Sequence, residues 1–167
     1  MREIKFRGIR TDNGKFVYGY YDCITDNYTP KNRHYITTLV ELDNGEVIQV
    51  GRYEVIPETV GQYTGLKDNN GNKIFEGDIF KFKDEVWESS YTPCGTEYDS
   101  WEVENYAVVG YNEETARFDF VKYKLNENSV EVDLHENHDL EFADFVSELE
   151  IIGNIYDNSE LLIGDDE

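Results

Sequence analysis

The sequence is poor in several residue types, and each shortage excludes a class of protein. Its 167 residues include two cysteines, three prolines and one methionine. Because Cys23 and Cys94 lie far apart and without Cys-x-x-Cys spacing, they predict reduced thiols, not a disulfide framework. No apolar run approaches the ~18 residues of a membrane span, and no apolar signal-peptide core follows the first residues. These shortages predict a cytoplasmic protein.

Basic residues are scarce in the second half of the chain. Residues 1–83 hold 12 acidic and 12 basic residues, whereas residues 84–167 hold 24 acidic and 3 basic ones. The whole net charge of −21 therefore lies in the second half. An electrostatic field of that sign repels nucleic acid and attracts basic protein surfaces. The asymmetry predicts a partner-facing acidic surface, and the alternative is a merely soluble acidic protein.

Sequence signatures of catalysis are also missing. There is no glycine-rich phosphate loop and no Gly-x-Ser-x-Gly elbow. The only (Asp/Glu)-x-Lys tripeptide, Glu3 to Lys5, lacks the upstream strand that a nuclease of that type needs. Cys23 or Cys94 with His34 could form a nucleophile–base pair, but their spacing does not support one. We therefore predict a protein without catalytic residues or enzymatic activity.

One histidine pair raises the question of a metal. His135 and His138, with Asp133 and Asp139 nearby, form an H-x-x-H sequence that would suit a helix. Zinc would require further His or Cys ligands within reach, and the preceding alternation favours a strand or turn. Solvated loop histidines are the favoured interpretation, so we predict neither a metal nor a cofactor.

Turn chemistry dominates what the sequence does contain. Three Asn-Gly pairs, Asn13-Gly14, Asn44-Gly45 and Asn70-Gly71, predict hairpin turns between apolar runs, and Asn13-Gly14 would suit a type I′ turn. Twenty-four aromatic residues, 13 of them tyrosine, suit β-strands. We predict a mainly β fold of antiparallel hairpins, and the short strands with glycine-rich turns favour a small β-barrel over a sandwich.

A single helix is predicted near the C-terminal end. Phe142, Phe145, Val146 and Leu149 recur at helical spacing, and Asp139 could cap the helix. A strand over residues 139–149 is the rival interpretation.

The predicted organisation is an N-terminal β-hairpin region, residues 1–54, packed with a barrel-like part, residues 55–167, as one compact unit. Within the second part, residues 84–100 are expected to form a long irregular excursion. It contains Pro93 and Gly95, with aromatic residues between acids. Long loops of this kind are usually functional or disordered.

The candidate partner-binding residues lie in and beside this excursion. Acidic side chains would supply charge complementarity, and exposed aromatic side chains would act as anchors. Trp101 is instead expected in the core. The candidate set is Glu85, Glu88, Glu97, Asp99, Glu102, Glu104, Glu113, Glu114, Trp87, Tyr91 and Tyr98.

A rival binding surface lies in the first half, where basic residues alternate with aromatic ones. Such a pattern can form a stacking groove for nucleic acid. Equal numbers of acids in the same half argue against net attraction. The residues concerned are Arg2, Lys5, Arg7, Arg10, Lys15, Phe16, Tyr18 and Tyr20.

Three stretches carry a family resemblance. They are Met1–Gly8 with Asn13–Tyr20, the glycine-rich run Val55–Lys81, and Ile151–Leu162. On these residues the chain resembles the YopX family of bacteriophage and prophage proteins. The resemblance implies a phage origin, a mainly β fold with an SH3-like barrel and a capacity for self-association. It implies no activity, because the family is functionally uncharacterised, and residues 84–150 fall outside its shared motifs.

These observations lead to a functional hypothesis. The chain would be a phage-encoded, non-enzymatic interaction protein that binds a basic, nucleic-acid-binding host or defence protein, as a DNA mimic or anti-CRISPR-type inhibitor. The alternative is an oligomeric structural or assembly protein of the phage. A nucleic-acid-binding SH3-like barrel is less favoured, and no membrane partner is expected.

Overall fold

The computed structural model describes residues 3–25, 32–92, 94–124 and 142–162. Within them the chain forms ten strands, one α-helix and two short 3-10 helices, Pro57–Thr59 and Ser159–Leu162. The strands and the helix are β1 (Phe6–Ile9), β2 (Phe16–Thr25), β3 (Asn32–Glu41), β4 (Val47–Glu54), β5 (Gly61–Lys67), β6 (Lys73–Phe75), β7 (Asp78–Thr92), β8 (Gly95–Asn112), β9 (Arg117–Lys124), α1 (Phe142–Glu148) and β10 (Ile151–Asn154). The prediction of a mainly β fold is confirmed.

The described chain divides into two compact units. Unit one comprises residues 1–65 and 73–76, and unit two comprises residues 66–72 and 77–167. The boundary between the two parts was predicted between residues 54 and 55. In the structure, unit one continues through the 3-10 helix Pro57–Thr59 and most of β5.

Unit one is built on a six-stranded sheet with the order β4-β3-β2-β1-β5-β6. One buried cluster of this unit consists of Val17, Ile36 and Val55, against which Phe6 and Tyr53 pack. The strand β2 alternates as expected, because Val17 is buried while its neighbour Tyr18 is half exposed. The period of two therefore places apolar residues on one face of the sheet.

The three Asn-Gly pairs occupy turns, as predicted, but the turn type is different. Gly14, Gly45 and Gly71 have positive φ angles, whereas the preceding asparagines do not. The Asn44 Oδ1 atom instead accepts a hydrogen bond from Glu46 N at 2.9 Å, and Gly45 N donates to Leu42 O at 2.8 Å. These loops have three or four residues, and in each of them only the glycine adopts the left-handed backbone region. A type I′ turn needs two consecutive residues in that region, so it does not form.

Unit two contains a four-stranded antiparallel sheet with the order β10-β7-β8-β9. The helix α1 covers one end of this sheet. Of the two predictions for this segment, a helix or a strand, the helix is confirmed. Its Phe142 ring contacts Phe120 edge to face, with the centroids 5.1 Å apart, and Val146 is fully buried. The expected cap, Asp139, lies outside the described residues, as do His135 and His138 and the alternating residues that precede them.

The two sheets appear with separate strand orders, and the SH3-like barrel stays a prediction. No helix in the described ranges combines the length and apolar character needed to cross a bilayer.

Candidate functional site: an acidic arm

The candidate binding residues lie on a long β-hairpin. The strands β7 and β8 pair without interruption from Ile79 opposite Val108 to Thr92 opposite Gly95. β10 pairs only with β7 residues 78–80, and β9 pairs only with β8 residues 106–112. Residues 81–105 therefore form a two-stranded ribbon, which we call the arm. At about 3.3 Å per residue, its strands extend roughly 40 Å.

The prediction of an irregular excursion over residues 84–100 is wrong. Gly95, one of the residues that indicated a loop, lies at the tip, where the ladder ends with Thr92 opposite Gly95. Thr92 Oγ1 donates a hydrogen bond to Gly95 O at 3.0 Å, and Gly95 has a φ of 139°. A tight connection between two strands needs the same turn residues as a long loop, so the composition alone did not separate them.

Solvent reaches both faces of the arm near its tip. Tyr91 is 92% exposed and Tyr98 is 67% exposed, in agreement with their expected availability as anchors. Trp101 is 37% exposed, so its expected place in the core is wrong. Counted from the tip, the first buried residue of β8 is Val103, three residues before β9 begins to pair with β8 at Tyr106.

The register sorts the described side chains near the tip onto two faces. Residues directly opposite each other share a face, and successive residues alternate. Glu97 and Asp99 therefore lie on one face. Tyr91 and Tyr98 lie on the other, as diagonal neighbours, since Tyr91 is opposite Thr96 and Tyr98 is opposite Ser89. The tip thus has an acidic face and a tyrosine face.

Two lysines reduce the negative charge at the base of the arm. Lys83 Nζ lies 2.7 Å from Glu102 Oε2, and Lys81 Nζ lies 2.6 Å from Glu104 Oε1. The hydrogen bond to Glu102 raises the pKa of Lys83. Residues 84–105 contain seven acids and no basic residue. Glu102 and Glu104 are therefore paired with lysines, whereas Glu97 and Asp99, nearer the tip, have no basic residue opposite them.

The remaining candidates occupy different positions along the hairpin. Glu85 is opposite Glu102, and in the backbone register Glu88 is opposite Asp99 and Trp87 is opposite Ser100.

The structure does not bring Glu113 and Glu114 to the arm. They lie in the turn after β8, where Asn112 Oδ1 accepts a hydrogen bond from Glu114 N at 3.0 Å. Along the strand this turn is roughly 45 Å from Asp99. A partner-binding surface of ordinary size around Asp99 would therefore not include Glu113 and Glu114.

The rival basic surface in unit one is largely neutralised by local contacts. Arg7 is buried, and its guanidinium lies 5.0 Å from the Phe16 ring centroid and 5.3 Å from that of Phe75. Arg10 forms an ion pair with Asp12 at 2.6 Å.

Lys5 and Lys73 both contact Glu3, at 2.9 and 2.6 Å. Hydrogen bonds from Lys73 and Lys5 lower the pKa of Glu3 to about 2. Tyr18 and Tyr20 are half exposed, and Arg2 lies outside the described residues. The described surface therefore offers aromatic faces with balanced charge.

The described residues contain no group of three His, Cys, Asp or Glu side chains arranged to hold a metal ion. The chemistry that the arm offers is consequently that of carboxylates and phenol rings on an exposed ribbon.

Over its described residues the chain is thus mainly β, with one short α-helix and a long acidic hairpin. The family model described as YopX protein matches residues 5–163, so the chain belongs to the YopX family. Among solved structures, the chain is similar to protein EF1440 from Enterococcus faecalis, with 22% identity and a TM-score of 0.48, over 98% of this chain and 100% of that one. No curated protein matches the chain.

Proposed function

We propose that this protein is a phage-encoded, non-enzymatic interaction protein that acts in the host cytoplasm. Its arm binds a basic surface of a host or defence protein, one that itself binds nucleic acid. The observation that carries the proposal is the arm itself, a two-stranded ribbon with exposed carboxylates and tyrosines and no basic residue between 84 and 105.

The proposed mechanism is the occlusion of a nucleic-acid channel by a DNA mimic, as an anti-CRISPR-type inhibitor would act. Glu97 and Asp99 supply charge complementarity, which speeds encounter and makes binding sensitive to salt. Tyr91 and Tyr98 act as anchors, because exposed tyrosines contribute large contact areas at interfaces. Glu102 and Glu104 contribute less, since Lys83 and Lys81 already neutralise them.

Affinity capture from host lysate, followed by identification of the protein that elutes with salt, supplies the partner for the test. The test variant is the double reversal Glu97→Lys with Asp99→Lys. The matched control is Glu113→Lys with Glu114→Lys, which changes the net charge equally at the far end of β8. We expect the tip variant to lose binding by at least tenfold and the control to retain it.

Other outcomes count against the proposal. If both variants lose affinity equally, the net charge of the protein determines the affinity, and the arm has no special role. If the affinity does not change between low and high salt, or survives the tip reversal, charge mimicry is excluded.

One observation favours the second candidate, an oligomeric assembly protein. The β3–β4 hairpin exposes a set of apolar side chains, and β4 is an edge strand of the sheet in unit one. Exposed apolar edge strands readily pair with other chains. Between 36% and 57% of each of these side chains is exposed: Leu39, Val40, Leu42, Val47, Ile48 and Val50.

Light scattering distinguishes the two candidates. A large closed assembly that dissociates on Val47→Lys with Val50→Lys would favour the oligomer. A monomer would leave the arm as the functional element.

A further inference from the structure

The fold brings one cysteine next to one histidine in unit one. Cys23 in β2 is directly opposite His34 in β3. Val55 N donates a hydrogen bond to His34 O at 2.9 Å, so the main-chain polar groups of His34 point towards the β4 side. The Cys23–His34 pair is therefore a non-hydrogen-bonded pair, whose Cα atoms are about 4.5 Å apart and whose side chains lie close together.

A tyrosine hydroxyl lies near the Cys23 and His34 side chains. Tyr21 lies two residues before Cys23, on the same face of β2. Its Oη atom lies 2.6 Å from His34 Nδ1, and the two rings stack with their centroids 5.9 Å apart. Cys23, two residues along on the same face, is close enough to the hydroxyl to interact with it electrostatically. The Phe6 ring, at 5.4 Å, packs against Tyr21 and limits its movement.

The hydroxyl can act as both donor and acceptor. Burial, together with the neighbouring Cys23 thiol, raises the pKa of Tyr21, so the phenol keeps its proton at neutral pH. It can then donate that proton to one neighbour while it accepts one from the other. The Cys23 side chain is exposed, so a reagent can reach its sulfur.

We propose that Cys23 is a reactive thiol that forms a mixed disulfide with a low-molecular-weight disulfide. The Tyr21 hydroxyl passes its proton to His34 Nδ1 and receives the thiol proton, which leaves a Cys23 thiolate beside an imidazolium. This arrangement of a nucleophile, a bridging group and a base is the usual way to activate a thiol. The site is independent of the arm and of the function proposed for it.

The reaction balances as a thiol–disulfide exchange. The Cys23 thiolate attacks one sulfur of the incoming disulfide, a new S–S bond forms, and the original S–S bond breaks. The leaving thiolate takes the proton held by His34. Cys23 is oxidised, and the incoming disulfide is reduced to a thiol and the half that stays attached to Cys23.

The second cysteine provides a control within the same molecule. Cys94 is also free and exposed, and it lies at the tip of the arm. The variant Cys94→Ser leaves only Cys23, and Cys23→Ser leaves only Cys94. A neutral dipyridyl disulfide is the appropriate probe, because an anionic reagent would be repelled by the acids around Cys94.

We expect Cys23 to react roughly tenfold faster than Cys94 at pH 7, since thiolate supply limits the rate of an ordinary thiol there. In the Cys94→Ser background, His34→Gln and Tyr21→Phe should each remove most of that advantage. In the Cys23→Ser background, the same two substitutions should leave the Cys94 rate unchanged.

Tyr21→Phe keeps the ring that packs on Phe6, and urea unfolding of each variant verifies the fold. The pH dependence of the rate separates activation from simple exposure, because loss of His34 should move the reaction of Cys23 to higher pH. Equal rates for the two cysteines, or an unchanged Cys23 rate and pH profile in both His34→Gln and Tyr21→Phe, would overturn the proposal.

Discussion

The base and the arm of the β7–β8 hairpin belong to one continuous ladder, yet they have opposite surroundings. At the base, Ile79, Phe80 and Ala107 are completely buried. Along the arm, Tyr91 and Tyr98 are mostly exposed. The backbone pairing is the same in both regions, so pairing alone does not decide which residues become core.

The difference lies in the elements next to the ladder. At the base, β10 and β9 flank the hairpin and Phe142 of α1 covers Phe120. No described strand flanks the arm. A two-stranded ribbon has little stability of its own in water, so the base must hold the arm in place. The part of the arm between Val103 and the tip therefore carries charge and exposed rings without cost to the core.

The largest effect on stability is expected when an aromatic ring is removed from the base of the hairpin. Phe80→Ala should lower the free energy of unfolding by about 3–5 kcal/mol, because it empties a buried site against Phe120. Tyr91→Ala, at the tip, should change it by no more than about 0.5 kcal/mol. Urea unfolding followed by tryptophan fluorescence measures both. A large loss for Tyr91→Ala would mean that the arm is part of the core.

A second test weakens the support of the base. Asp68 is buried and accepts hydrogen bonds from Asn70 N, Asn72 N and Ile151 N at 3.0, 2.7 and 3.3 Å. Ile151 belongs to β10, which pairs with β7 at Phe80. Asp68→Ala leaves these donors without their acceptor and should cost about 1–3 kcal/mol in the free energy of unfolding.

The same carboxylate predicts a dependence on pH. Burial raises the pKa of Asp68, but hydrogen bonds from Asn72, Ile151 and Asn70 outweigh burial and hold it below its usual value. Its contribution to stability is therefore complete above the unfolded pKa of about 4 and is lost as the pH falls through the lower folded value. The difference in stability between the wild type and Asp68→Asn should shrink on going from pH 7 to acid. A constant difference would contradict this assignment.

The smallest effect is expected where base and arm meet. A double-mutant cycle with Lys83→Met and Glu102→Gln should give a coupling energy smaller than either effect above, because both side chains are exposed. Raising the salt concentration should reduce it further. Unfolding curves of the four proteins at low and high salt provide the measurement. A coupling that salt does not change would show that the pair is shielded from solvent.

Much of the local structure could be predicted from the sequence. The Asn-Gly pairs marked hairpin turns correctly, because glycine is the residue that accepts a positive φ at low cost. The spacing of Phe142 and Val146 correctly indicated α1, since a helix brings such residues onto one face. The arm was missed because its acids and serines resemble a loop, and its strands are stabilised by each other and not by local propensity.

The grouping of the candidate residues also depended on tertiary structure. Glu113 follows Glu102 by only eleven positions, but a strand is extended, so that interval separates rather than joins them. Lys81 and Lys83 belong to the electrically neutral half of the sequence, and only the register shows that they neutralise acids of the other half. The proximity of Cys23 and His34 likewise requires the β2–β3 pairing.

By itself, the sequence determined the properties that depend on neighbouring residues: the turns, the strand alternation, the helix and the excess of acid after residue 83. Only the tertiary structure decided which acids stand together, which are neutralised, and which thiol lies beside a base. The physical reason is the separation along the chain over which each kind of interaction acts. Turns and periodicity act over a few residues, whereas charge pairing and proton transfer act through space, between residues that the chain separates and the sheet brings together.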